Sequence, residues 1–318
     1  RGHSTNVIGT EGPESTIIDG SASDRVVDFK DGETSQAVLS GFTLQNGSAS
    51  YGGGIYLSNS SVPTLDNLII TGNSAVHGGG IRSETGSDSA LIRNVIISNN
   101  TATNGGGCSL MSSVILENVL IAGNSATSGG GIIFRSAGTQ SILNNVTIVE
   151  NAASSAGGGI YGYAVGNETI VSSIIWGNSS STDPNVLSTA GLSIIYSDIG
   201  GGWIGEGNID ADPRFVEPGS GDYHLLASSV GINAGHPDST DSDGTRTDMG
   251  VYPYLNEYTG PVWYVTTTGD DTTGTGAVDA PFFSIQGGIN FAEAAADTVR
   301  VQAGVYTENI TFRGHSTN

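Results

Sequence analysis

The densest set of groups able to do chemistry in this 318-residue sequence is the run Asp238-Ser-Thr-Asp241-Ser-Asp243-Gly-Thr-Arg-Thr-Asp248. Hard cations take several carboxylate oxygens around a tight turn, so Asp241, Asp243 and Asp248 are the candidate ligands of a calcium loop. The EF-hand spacing is not met, because Ser239 would be the first ligand and Gly250 stands where a bidentate glutamate belongs. In the alternative, Arg246 pairs with the neighbouring acids and the loop is a solvated turn. Cys108 is the one cysteine, which excludes an internal disulfide and a cysteine-based metal pair. His77 stands beside Gly78 in an apparent turn and reads as a solvated residue rather than a ligand.

Charge narrows the partners. Against 31 Asp and Glu stand 10 basic residues, a net charge of −21. Binding phosphates needs clustered Lys and Arg, so neither a nucleic acid nor an anionic lipid is expected. The longest apolar runs are a few residues, far below the ~20 that span a bilayer, and no membrane insertion is expected. The chain has no initiator Met or signal peptide and reads as a piece of something longer.

What positions these groups is a repeat. Gly-Gly-Gly plus an apolar residue recurs at 52–55, 78–81, 105–108, 129–132 and 157–160, with spacings of 26, 27, 24 and 28. An aliphatic run ending in a turn asparagine precedes the last four triplets, at Asn73, Asn100, Asn124 and Asn151, and recurs once more at Asn178. A second set, Asn67, Asn94, Asn118 and Asn145, precedes the strands. Short β-branched segments between Gly, Asn and Ser turns do not sustain a helical period. Each repeat therefore reads as one coil of an all-β parallel β-helix (a solenoid) with about 24–28 residues per coil. Coils stack ~4.8 Å apart, so aliphatics pile up inside and asparagines ladder at the turns. The triplets supply φ > 0 at tight bends. Cys108 shares its column with Ile55, Ile81, Ile132 and Ile160, and reads as a small buried hydrophobe.

On such a solenoid the outward columns are where a polysaccharide-cleaving site would lie. Asp66, Arg93, Glu117 and Asn144 occupy one column on successive coils. Asp66 and Glu117 would then be about 9.6 Å apart, at the edge of the inverting-glycosidase window. Arg93 between them makes an ion-pair ladder the better reading, and no catalytic residues are assigned. A second outward column reads Tyr56, Arg82, Ser109, Ile133, Tyr161; Tyr56 and Tyr161 could stack on sugars, but three coils lack an aromatic. A calcium-binding β-roll is excluded because the triplets are not followed by Gly-x-Asp.

The remaining segments carry resemblances. Residues 261–318 hold Trp263-Tyr-Val, then Pro281-Phe-Phe-Ser-Ile-Gln-Gly-Gly-Ile-Asn, then Asp297-Thr-Val-Arg-Val and onward to Phe312. This resembles the opening module of pectin-lyase-like right-handed parallel β-helices, which implies a right-handed solenoid with a strand, a short capping helix near 281–296 and a first coil. Residues 208–254 resemble the closing segment of choice-of-anchor Q surface proteins, through Asp210-Ala-Asp-Pro-Arg-Phe-Val, Asp222-Tyr-His-Leu, Gly231-Ile-Asn-Ala-Gly and Asp243 to Tyr252. That resemblance implies export and an extracellular location on a bacterial surface. Arg-Gly-His-Ser-Thr-Asn opens the chain at 1–6 and recurs at 313–318, 312 residues on.

Three segments follow: coils over 1–207, a closing segment over 208–259, and an opening module over 260–318. The expected function is a structural repeat of an extracellular bacterial fibre or giant surface protein. Its partner is a further copy of itself, joined head to tail through Trp263, Ile310, Phe312, Val7 and Ile8. The alternatives are a glycan-binding adhesin repeat and, behind it, a polysaccharide lyase or hydrolase.

Overall fold

In the computed structural model the described residues are 5–188, 191–292 and 294–312. They form two units, Arg1–Asp210 and Ala211–Asn318. The repeated hexapeptide of the two ends falls mainly on residues 1–4 and 313–318, outside the described residues.

The first unit is a parallel β-solenoid of about seven turns. Each coil visits three sheets in turn. Long strands such as Thr64–Thr71, Ala90–Ser98 and Val114–Ala122 build the first sheet. Short strands such as Ser74–His77 and Thr101–Asn104 build the second, and Ile81–Ser83 and Cys108–Leu110 belong to the third. Every pairing within these sheets is parallel, and equivalent residues of the repeat lie side by side: Arg93 against Asp66 and Glu117, Cys108 against Ile81 and Ile132. The inward column Ile55, Ile81, Cys108, Ile132, Ile160 is fully buried, and burial pushes the Cys108 thiol up to about 12.

The two asparagine sets do different work. The turn set is a buried ladder: the backbone N–H and the Nδ2 of Asn73, Asn100, Asn124 and Asn151 each donate to Oδ1 of the next asparagine, at 2.9–3.0 Å. Each Nδ2 also donates into the strand carbonyls, as Asn124 does to Ile97. The second set forms no such ladder. Asn67, Asn94, Asn118 and Asn145 have φ of 50–54° and kink the long strands. Gly41, Ser172 and Tyr196 adopt the same left-handed conformation on other coils.

The glycine triplets also divide their work. Only the first member (Gly52, Gly78, Gly105, Gly129, Gly157) has positive φ. The second and third are glycine because the next coil is too near: a Cβ on Gly106 would sit 2.5 Å from the Gly130 carbonyl oxygen, and one on Gly107 2.6 Å from that of Gly131.

At the far end of the solenoid, Asn185 Oδ1 accepts the last ladder bonds from Asn178 and Trp203 packs on the core. At the other end the first sheet terminates in Val7–Ile8 and Ile17–Asp19, whose Val7, Ile8 and Ile17 are about half exposed.

The second unit joins two segments that the sequence separates at 259/260. Strand Val262–Val265 pairs in parallel with Thr298–Val301, and the expected capping helix is Ile285–Phe291, started by Ser284 Oγ accepting from Gly287 N. Trp263, Phe282 and Phe291 form an aromatic core with Tyr254 and Tyr258 around it. Asn290 Nδ2 ties the helix to the carbonyls of Ala227 and Ser229. The closing segment and opening module therefore share one core, because neither has enough apolar side chains to bury alone.

Candidate functional site

The Asp-rich loop does not form the metal site drawn from its spacing. Asp241 accepts from Thr247 Oγ1 and Asp248 N, while Asp243 accepts from Thr245 and from Asn256 N. Asp248 accepts from Asn233 N at 2.7 Å and Tyr254 N at 2.6 Å. Each of the six carboxylate oxygens is thus held by a protein donor, and among the described residues no three acidic, His or Cys side chains are grouped to hold a metal. Arg246 turns to the carbonyls of Ala234 and Gly235. The acids are internal caps that fasten the loop to residues 233, 254 and 256. We therefore expect melting curves in chelator and in millimolar calcium to coincide; a rise with calcium that chelator reverses would restore the metal.

Burial, against two amide donors, pushes the Asp248 carboxyl up to about 8, and Asp241 is shifted in the same direction mainly by burial. The folded chain then holds a proton that the unfolded chain releases near the ordinary value of 3.8. Stability from this group is greatest below pH 4 and is lost as pH rises towards 8. Thermal melts of wild type and Asp248→Asn across pH 4–8 test this. The wild-type midpoint should fall relative to the variant, and parallel profiles would reject it.

On the solenoid, Arg93 bridges to Asp66 at 2.9 Å and Asn94 Nδ2 donates to the same carboxylate. Glu117 has no ion pair within 4.0 Å among the described residues, so the expected three-member ladder is a two-member one. Arg93 stands between Asp66 and Glu117 in the column and is turned to Asp66.

The Tyr56 column departs furthest from its outward reading: Arg82, Ser109 and Ile133 are buried. The triplet bend folds the end of each second-sheet strand over the start of the third-sheet strand. Tyr51 thereby stacks on Tyr56 at 6.0 Å and on His77 at 5.4 Å, and Arg25 covers the Tyr56 ring at 4.6 Å. Arg82 reaches Ser109 Oγ at 2.7 Å and pairs with Glu84, while Arg135 lies 2.9 Å from His77 Nδ1 and near the Tyr163 ring. His77 is thus a half-buried member of an arginine–aromatic stack, not a solvated turn residue. Burial, then Arg135 and Arg82, shift it below its ordinary pKa. These partners were missed because Tyr51 and His77 stand immediately before their triplets, in a column that strand alternation alone does not connect to Tyr56. The stack is a brace along the coils, with its ring faces turned on one another.

In the second unit His224 Nδ1 lies 2.7 Å from Asp222 and the imidazole stacks on Tyr252 at 4.4 Å, beside a cavity of about 330 Å³. Among the described residues no hydroxyl or thiol is hydrogen-bonded to the other ring nitrogen, and the cavity is lined by Thr272, Thr273 and Thr275.

Of the residues expected at an assembly surface, Trp263 is buried in the aromatic core and is removed from that set. Its role is to hold the second unit together. Val7, Ile8, Ile310 and Phe312 are all exposed, Phe312 by 80%. None of the helices among the described residues is long and apolar enough to cross a membrane.

Neither the curated proteins nor the solved structures contain a match to this chain. The family described as right handed beta helix region matches residues 31–200. That match coincides with the stacked coils, the asparagine ladder and the glycine bends, and the chain belongs to the right-handed β-helix family.

Proposed function

We propose that this chain is a structural repeat of an extracellular bacterial fibre or giant surface protein, its units following one another head to tail. The observation that supports this best is the use made of the solenoid's outer polar groups: the Asp66–Arg93 pair and the arginine–aromatic stack are spent on bracing neighbouring coils. The resemblance of residues 208–254 to surface-protein closing segments supports the extracellular setting. A glycan-binding repeat is the second reading: the Tyr56 ring is covered by Arg25, while Tyr163 beside Tyr161 is exposed.

The test is to incubate the full chain with uronic-acid and neutral polysaccharides while imaging it by electron microscopy. The structural role predicts rods without turnover. Cleavage that is abolished by Asp66→Asn or Glu117→Gln would overturn it.

A further inference from the structure

A two-stranded parallel sheet is rarely left with a bare side, because parallel strands are normally buried and free strand edges invite pairing. Strand Thr298–Val301 nevertheless pairs only with Val262–Val265 among the described residues. Its other side opens onto a groove of about 570 Å³ lined by Ile285, Ile289, Val299, Val301, Ile310 and Phe312. Val301 is 42% exposed and Phe312 80%. In the same chain the solenoid's first sheet ends in the strands Val7–Ile8 and Ile17–Asp19, also parallel and also without a partner on their outer side among the described residues.

Taking the structural role as its basis, we propose that these two surfaces bind each other between copies: residues 5–19 of one chain add to the free side of Thr298–Val301 of a second copy. Three observations select this occupant. A row of unpaired N–H and C=O groups is satisfied by another backbone strand, and the chain carries two such rows. Both are flanked by exposed aliphatics, so Val7, Ile8 and Ile17 would fill the groove that Ile310 and Phe312 leave open. Residues 5–19 carry Glu11, Glu14 and Asp19 with no base, and the receiving strand presents the exposed Arg300 as a partner for them, with Asp297 at the other end of the groove. Each chain has one surface of each kind, so the contact is heterologous and propagates rather than closing into a pair.

Two surface variants test this with the full chain. Ile8→Asp removes one surface and Val301→Asp the other; both positions are exposed, and circular dichroism should be unchanged. Sedimentation of wild type should show a mass that grows with concentration. Each variant alone should associate roughly thirtyfold more weakly or worse, as for loss of a central interface residue. Mixed one to one, the variants should form a two-chain complex and stop, since each keeps the surface its partner has lost. A wild-type mass independent of concentration, a variant that still self-associates, or a mixture that stays monomeric would each overturn the proposal. Polysaccharide turnover by the monomeric variants would sink the structural role while leaving the association result standing. A wild-type monomer without turnover would sink only the association.

Discussion

Replacing Ile132 with Asp should unfold the solenoid at ambient temperature. The side chain sits in the fully buried column between Cys108 and Ile160. It belongs to the buried hydrophobic cluster, with Cys108 and Ile160 as its column neighbours. The substitution removes apolar burial worth about 2–3 kcal/mol and inserts a carboxyl group without a hydrogen-bond partner, so the total exceeds the roughly 4–5 kcal/mol that marks an exceptional single change. Loss of the far-ultraviolet β signal, or insoluble expression, is the expected readout. Ile133→Asp on the opposite face offers a comparison, because Ile133 is buried but lies outside the main core cluster. A cooperative melt for Ile132→Asp within a few degrees of wild type would show that the column is not the interior.

The second large effect is expected at Asn124, the middle of the ladder. Changing it to Ala removes the acceptor of both Asn100 N and Asn100 Nδ2, and the donor to the Ile97 carbonyl. Each buried polar group left without a partner costs about 1–3 kcal/mol, so the expected loss is roughly 3–5 kcal/mol. Asn99, its neighbour in the preceding turn, is exposed and has φ of 55°. Asn99→Gly should therefore shift stability by no more than about 0.5 kcal/mol. Urea midpoints for the two variants decide the matter. If they move together, the ladder contributes nothing beyond the shape of its turn.

These two sites were legible in the sequence because a column in a stacked solenoid is a sequence interval. Ile132 and Asn124 recur at the coil period, and parallel pairing carries that period into space without change. The division of labour within the glycine triplets was not legible. Positive φ and close approach of the next coil both demand glycine, and the letters are the same for either cause. The Tyr51–Tyr56–His77 stack was hidden for another reason: the angle of the triplet bend sets which side chains meet across it, and periodicity is silent about that angle. In the second unit no repeat exists to read. Its acids were visible as a spacing, but whether Asp241 and Asp248 face a cation or backbone amides depends on how residues 233 and 254 return to them. Trp263 likewise looked like a docking residue until Phe282 and Phe291 closed around it.

The three corners of the coil differ in how much variation they admit. On the coils that carry a glycine triplet the asparagine corner is two residues, as at 72–73, 99–100 and 123–124, and the glycine corner three, as at 78–80, 105–107 and 129–131. The third corner alone varies: it runs 58–63, 84–89, 111–113, 136–141 and 165–167 on successive coils. Most of the uneven spacing of the repeat is therefore absorbed on one edge of the solenoid, with one further residue taken up by the strand Ala152–Ala156, while the other two edges are fixed by their ladder and their carbonyl contacts. Sequence can be inserted or recombined along that edge without disturbing the rungs, so it is the place where a lineage of such chains can graft new loops, and the place an engineer would choose for displaying a foreign peptide once per coil.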